Sequence, residues 1–352
     1  MNKGAIINAR LVNQGIASPL PGPPAQAVAR LATMQAQDAA AVRWAIGLRC
    51  QNATLATVEQ ALNSGTIIRT WLLRGTLHVA AAEDVRWLLA LLAPRILAGG
   101  VGRRRQLGLD DATLTRSLSV IGDALHDGMA MTRAELLHAL DEAGIATAGQ
   151  RGYHLLGHAA LHGLICFGPA QGKQETFVLL DERAPATAHL DPDAALGKLA
   201  LRYFTGHGPA TLADFAWWAG LPLGQARQAL ALVAADLTQV TAGDRRYFYA
   251  HGEQTADDRA VPAVYLLPAF DEYYLGYKER DLVLAPGLDK RVVSSNGIFR
   301  PVIVVDGQVE GIWRRERNGT GVRTQIERFG ALDSLEAQAL DATLRQYTTF
   351  LS

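Results

Sequence analysis

Between two helical stretches stands the link Met34-Gln35-Ala36-Gln37-Asp38, which carries two carboxamides on alternate positions. In an extended backbone alternate side chains project to the same side, so Gln35 and Gln37 are expected to face one surface together. A carboxamide is not a useful base at neutral pH. Its oxygen nevertheless accepts a hydrogen bond and its NH₂ group donates, so a pair of them can orient a water or a sugar oxygen. Taken alone, two glutamines on a link are ordinary surface polarity. Asp38 reads most simply as the N-cap of the helix that follows.

Other candidate chemistry is thinner. His154, His158 and His162 fall on one face of an expected helix, a spacing that could present imidazoles to Zn²⁺. The stretch lacks the glutamate of an H-E-x-x-H pattern, and Cys50 and Cys166 are too few for a four-thiolate site or a disulfide scaffold. No metal and no cofactor are expected, and the two thiols suit a reducing cytosol. GGVGRRR has neither the spacing nor the lysine of a phosphate loop, and no nucleophile elbow is present. Asp271 and Glu272 in AFDEYYLGY can be read as acid/base carboxylates; a structural pairing with Lys278 or Arg280 is the preferred reading.

Lys+Arg 34 against Asp+Glu 34 leaves no net charge, so any grip on nucleic acid must come from local clusters. Arg103-Arg104-Arg105 lies in a Gly-rich stretch read as a linker. Lys173 and Arg245-Arg246 fall at two expected hairpin tips, and Arg314, Arg315, Arg317 and Arg323 share the segment WRRERNGTGVRTQIER. Together with Arg43 they are the candidate phosphate contacts.

The elements that must position these residues recur in order. A helix over Ala25–Met34, one from Asp38, one near Leu55–Leu62 and a hairpin turning at Arg74-Gly75 make helix, helix, helix, hairpin, the order of a winged helix. The pattern returns with Thr132 capping a helix three residues before Glu135, and again with Thr211 capping LADFAWWAG, a period of ~70 residues. From Pro262 the texture turns to short strands, with Asp306-Gly307 as a hairpin signal. The expected fold is therefore α+β and mostly α. Winged-helix modules at 1–100, 101–190 and 191–260 precede a β-barrel-like domain at 261–352, closed by a helix over Ser334–Tyr347. No apolar run reaches ~18 residues and the N-terminus lacks a signal-peptide core, so a cytoplasmic chain without a membrane span is expected.

With these segments laid out, the chain resembles the winged-helix DNA glycosylases of the AlkZ (YcaQ-like) superfamily. The resemblance rests on MQAQDAAAVRWAIGLR, IIRTWLLRGTLHVA, LHGLICFGP, RYFTGHGPATLADFAWWAGL, LLPAFDEYYLGYKER and FRPVIVVDGQVEGIWRR, in order and over nearly the whole chain. It implies three winged helices and a C-terminal β-rich part wrapped as a C-shape around double-stranded DNA. It also implies a monomer acting on bulky alkylated or crosslinked bases. The family's catalytic Gln-x-Gln motif falls on Gln35 and Gln37. A sister group carries Asp at the second position, so Gln37 places this chain with the AlkZ branch. His78 could line the same site or be a satisfied core histidine. The competing expectation is a winged-helix transcriptional regulator, or another non-catalytic DNA-binding protein.

Overall fold

The structure is a computed structural model that describes residues 1–186, 190–253, 263–318, 321–331 and 333–352. The fold mixes helices with short antiparallel sheets. The chain packs into two units, residues 60–196 and residues 1–59 with 197–352, crossing between them within the helices Leu55–Ser64 and Pro192–Gly206. These units cut across the four segments expected from the sequence.

The unit over 60–196 begins with the strands Ile67–Trp71 and Leu77–Ala81, paired antiparallel. Arg74 and Gly75 both take left-handed backbone at the turn (φ 58° and 74°), as a tight reversal there requires. The helices Asp111–Ala124, Arg133–Glu142 and Arg151–Leu161 follow. Leu136 and Leu140 repeat at i, i+4, and with Leu155, Leu156 and Ile121 they form a core from which water is excluded. Trp71 of the hairpin enters that core and stacks on Phe167 and Phe177, with centroids 5.6 and 6.4 Å away. Such aromatic pairs contribute about 0.5–1.5 kcal/mol each beyond buried area. Thr132 and Glu135 form the expected capping box. The Gly-rich stretch before it is not a linker. Val101–Gln106 is helical, and Arg104 donates to Leu97 O at 2.7 Å, tying it to the end of the helix Ala82–Gly99.

In the other unit, the helix Ala39–Leu48 packs on the C-terminal sheet. Trp44 donates its indole N–H to Leu266 O at 2.7 Å, and its ring meets Tyr347 and Phe350 at 5.0 Å each. Gly47 makes that fit possible, because a Cβ there would stand 2.2 Å from the Phe350 ring. The sheet runs Gly321–Arg328, Gln308–Asn318, Val302–Val305, Val264–Leu267, all antiparallel. Asp306 and Gly307 adopt φ 46° and 81° at the hairpin between Val302–Val305 and Gln308–Asn318, the handedness that matches strand twist. The expected barrel is not formed. The sheet is open, and among the described residues its outer strands pair with nothing on their far sides. The helix Ser334–Leu351 lies against it instead, with Thr343 donating to Val264 O at 2.7 Å. One packed helix buries an apolar face as well as ring closure would, so four strands need not curl shut. Among the described residues no helix is long and apolar enough to cross a membrane.

Candidate active site

The glutamine link begins where Ala32 turns left-handed (φ 62°) and ends the helix Pro24–Arg30. Met34–Gln35 is extended, Ala36 is fully buried and Gln37 is exposed, whereas Gln35 keeps 9 % of its surface. Gln37 therefore meets solvent and Gln35 is largely buried; the extended backbone ends at Gln35 and Gln37 lies in a bend, so the alternation expected of a fully extended link does not carry through to Gln37. Asp38 is exposed and its carboxylate caps the helix Ala39–Leu48, accepting from the Ala40 and Ala41 N–H groups at 2.9 Å each.

What holds the link in place comes from far along the chain. The backbone N–H of Gln35 donates to Glu272 Oε1 at 2.9 Å. Glu272 Oε2 accepts from the Trp218 indole at 2.9 Å and lies 3.3 Å from His207 Nε2. Glu272, Trp218 and His207 are each at most 1 % exposed. Beside them, Asp271 grips Arg49 through two hydrogen bonds of 2.8 Å and caps the turn Glu272–Leu275 through Tyr273 N. Arg49 passes the network to Gln14 (3.0 Å), Gln14 to the Tyr277 hydroxyl (3.0 Å), and Tyr277 to His207 O (2.7 Å). Arg10 covers the Tyr277 ring at 3.7 Å and donates to Pro209 O. Burial pushes the Tyr203, Tyr273 and Tyr277 hydroxyls far above the usual phenol range, so all three act only as neutral hydrogen-bonding groups. Gly276 is required where it stands: a Cβ would lie 2.5 Å from Glu272 O and 2.7 Å from the His207 ring.

The expected pairing of Asp271 and Glu272 with Lys278 or Arg280 is overturned. Lys278 is exposed and gives its backbone N–H to Asp214. The Arg280 guanidinium stacks among Trp217, Tyr274 and Phe299 at 4.9–5.1 Å. The true partners, Arg49, Trp218, His207 and the Gln35 backbone, were missed because each is distant in sequence. Two carboxylates inside an apolar, aromatic segment are the signal that could have pointed to buried partners.

His78 lies in the other unit, fully buried on Leu77–Ala81, with Nδ1 2.9 Å from Thr76 O. On the helix Arg151–Leu161, burial, aided by His162 and Arg104, lowers the His158 pKa to about 4. Burial likewise lowers His154 and His162, with the nearby arginines adding to it. These imidazoles are neutral at physiological pH. Among the described residues no three side chains of metal-ligand type cluster.

The cations divide by their partners. Arg43 pairs with Glu59, Arg245 with Glu279 and Asp281, and Arg314 with Glu316 and Gln325; Arg315 lies beside the Tyr347 hydroxyl. Arg103 is exposed but bonded to Gln106 and Gln150. Among the described residues Arg105, Lys173, Arg246 and Arg323 are exposed, and no hydrogen bond or ion pair engages their side chains. Arg246 and Arg227 line a groove of about 640 Å³ between the helix Leu223–Leu232 and the hairpin Leu237–Ala250. The Arg317 side chain lies outside the described residues.

The model of the family described as DNA glycosylase AlkZ-like matches residues 28–350. The chain belongs to that family. A curated relative, the interstrand DNA cross-link repair glycosylase of Streptomyces sahachiroi, is 28% identical over 299 residues, spanning 81% of this chain and 80% of the relative. The solved structure of Streptomyces sahachiroi DNA glycosylase AlkZ superposes with a TM-score of 0.81 at 24% identity, covering 97% of this chain and 95% of that one. As an AlkZ-like enzyme the chain is a DNA glycosylase, and the family match spans the glutamine link together with Arg49, His207, Trp218, Asp271 and Glu272.

Proposed function

We propose that this glycosylase hydrolyses the N-glycosidic bond of cationic N7-alkylated purines in double-stranded DNA, including bulky adducts and interstrand crosslinks. Gln35 and Gln37 are its catalytic pair. Support comes first from the place of the motif: an exposed carboxamide at Gln37 and a largely buried one at Gln35, on a link whose backbone is anchored to a buried carboxylate. The crosslink reading follows the activity named for the Streptomyces relative.

The chemistry suits a weak pair. Cleavage of the C1′–N bond builds positive charge on the sugar, and most glycoside-cleaving sites meet it with a carboxylate. A carboxamide oxygen can instead hold the attacking water while its NH₂ group steadies a sugar or phosphate oxygen. That is positioning and charge stabilisation rather than proton abstraction, and it suffices when the leaving group is already good. A guanine alkylated at N7 carries positive charge and departs neutral, whereas undamaged bases are spared. A bulky or crosslinked base is hard to draw into a closed pocket, which favours an exposed link as the site.

The modules at 1–100, 101–190 and 191–260 are read as winged helices, and the protein as a cytoplasmic monomer. The helices Pro192–Gly206, Leu212–Ala219 and Leu223–Leu232 followed by a hairpin support the third module. The uncommitted cations Arg105, Lys173, Arg246 and Arg323 are assigned to phosphates. Alanine at Arg105 or Arg246 should each lower the slope of log K against log[salt] by about 0.9, while Arg245→Ala leaves it unchanged because two carboxylates already hold that guanidinium. Equal slopes for all three variants would place Arg105 and Arg246 off the DNA.

The direct test is incubation with a duplex bearing one N7-methylguanine, followed by hot alkali. Strand breaks at the lesion that require the protein are expected. Their absence, with DNA binding intact, would overturn the N7-alkylpurine reading.

A further inference from the structure

We infer that Glu272 is the positioning residue of the Gln35-x-Gln37 motif: it is the rigid acceptor that sets where the catalytic carboxamides stand. The inference rests on the proposed role of those glutamines and names what controls their geometry.

A carboxylate as buried as Glu272 is costly unless hydrogen bonds replace its hydration. Three nitrogen groups from three separate stretches of chain converge on it. Oε2 faces two rigid rings, the Trp218 indole at 2.9 Å and His207 Nε2 at 3.3 Å. The His207 ring is itself stacked on Tyr203 at 4.6 Å with a 13° interplanar angle, and its edge lies against Gly276. With one oxygen locked in this way, the carboxylate plane has a single orientation. Oε1 then presents one fixed point to the Gln35 N–H at 2.9 Å. The anchored peptide carries Gln35 and stands two residues before Gln37, with only the fully buried Ala36 between them, so fixing it sets the origin of the first side chain and constrains that of the second. A displacement of about 1 Å at a reacting group can cost on the order of a hundredfold in rate. The anchor reaches across 237 residues. A link that needed only to be covered would not require a buried charge from so far away.

Glu272→Gln keeps the shape but turns one acceptor into a donor. The amide can accept from Gln35 N–H only by aiming its NH₂ group at the Trp218 N–H; turned the other way, it abandons Gln35. Adding Trp218→Phe removes the clash, and a His207 ring in its Nδ1–H tautomer can accept from the NH₂ group through Nε2. Under single-turnover conditions with N7-methylguanine duplex, Glu272→Gln should excise about tenfold or more slowly. Its DNA dissociation constant should stay within about twofold of the parent. The double variant Glu272→Gln/Trp218→Phe should recover most of the rate, and in a Gln35→Ala background Glu272→Gln should add little further loss.

A purely structural carboxylate gives a different pattern: lowered melting temperature in every Glu272 variant, no recovery in the double variant, and additive losses with Gln35→Ala. That pattern overturns the inference, as does a parental rate for a folded Glu272→Gln. If Gln35→Ala itself excises at the parental rate, it is the catalytic reading of the glutamines that fails.

Discussion

Alanine at Gln37 should slow excision of N7-methylguanine about a hundredfold while leaving duplex affinity nearly unchanged, and Gln35→Ala should do the same. The expected size follows from removing one positioned hydrogen-bonding group that acts mainly in the transition state, typically worth ~3 kcal/mol. Affinity should persist because, on the proposed reading, binding energy shared by substrate and transition state comes from the cations assigned to phosphates rather than from the link. The two substitutions should be less than additive, since both side chains would hold one water. Gln37 gives the cleaner measurement, because it is exposed and its truncation opens no cavity. Gln35 is largely buried, so its variant needs a melting curve beside the rate. Gln37→Asp supplies the carboxylate found in the sister group and should retain part of the activity. If both alanine variants excise at the parental rate, the catalytic site lies elsewhere.

Breaking the Arg49–Asp271 pair is expected to be the most damaging single change to stability. The two groups are joined by two bonds of 2.8 Å, and their side chains are 0% and 1% exposed. Asp271→Asn or Arg49→Met leaves one buried charge without its counter-ion, which costs about 3–5 kcal/mol. For a unit of this size that is a fall of roughly 10 °C in melting temperature. Arg49→Lys should not rescue the fold, because an ammonium cannot reproduce the two parallel bonds of a guanidinium. The paired change Arg49→Met/Asp271→Leu should recover much of the loss, since it removes both charges together. Thermal melting of the four variants decides the matter. An Asp271→Asn protein that melts with the parent would show that the pair contributes nothing net.

Local features of the fold were legible in the residues. Asp306-Gly307 and Arg74-Gly75 announce reversals because positive φ is tolerated there, and both turns occur. Thr132 with Glu135, and Thr211 with Asp214, build capping boxes from residues three apart. Asp38 caps its helix as its type and position suggest. The glutamine motif could be located by its resemblance to a family, and the family match covers it.

Other properties belonged to the tertiary structure alone. Arg103-Arg104-Arg105 reads as one cationic cluster, yet the second arginine is turned back onto Leu97 O and the third is uncommitted. Arg245 and Arg246 are neighbours in sequence and line the same groove, but Glu279 and Asp281 hold the first, whereas no hydrogen bond or ion pair among the described residues engages the second. Residues 1–59 pack with 197–352 because Trp44 finds Leu266, Tyr347 and Phe350, a choice that helical periodicity cannot express. The same holds for Glu272, whose partners lie 54, 65 and 237 residues away. Turns and caps are decided by a few consecutive dihedral angles and are therefore written locally. The partner of a buried polar group is decided by which distant surfaces are driven together when apolar area leaves water, and only then by which donor faces which acceptor.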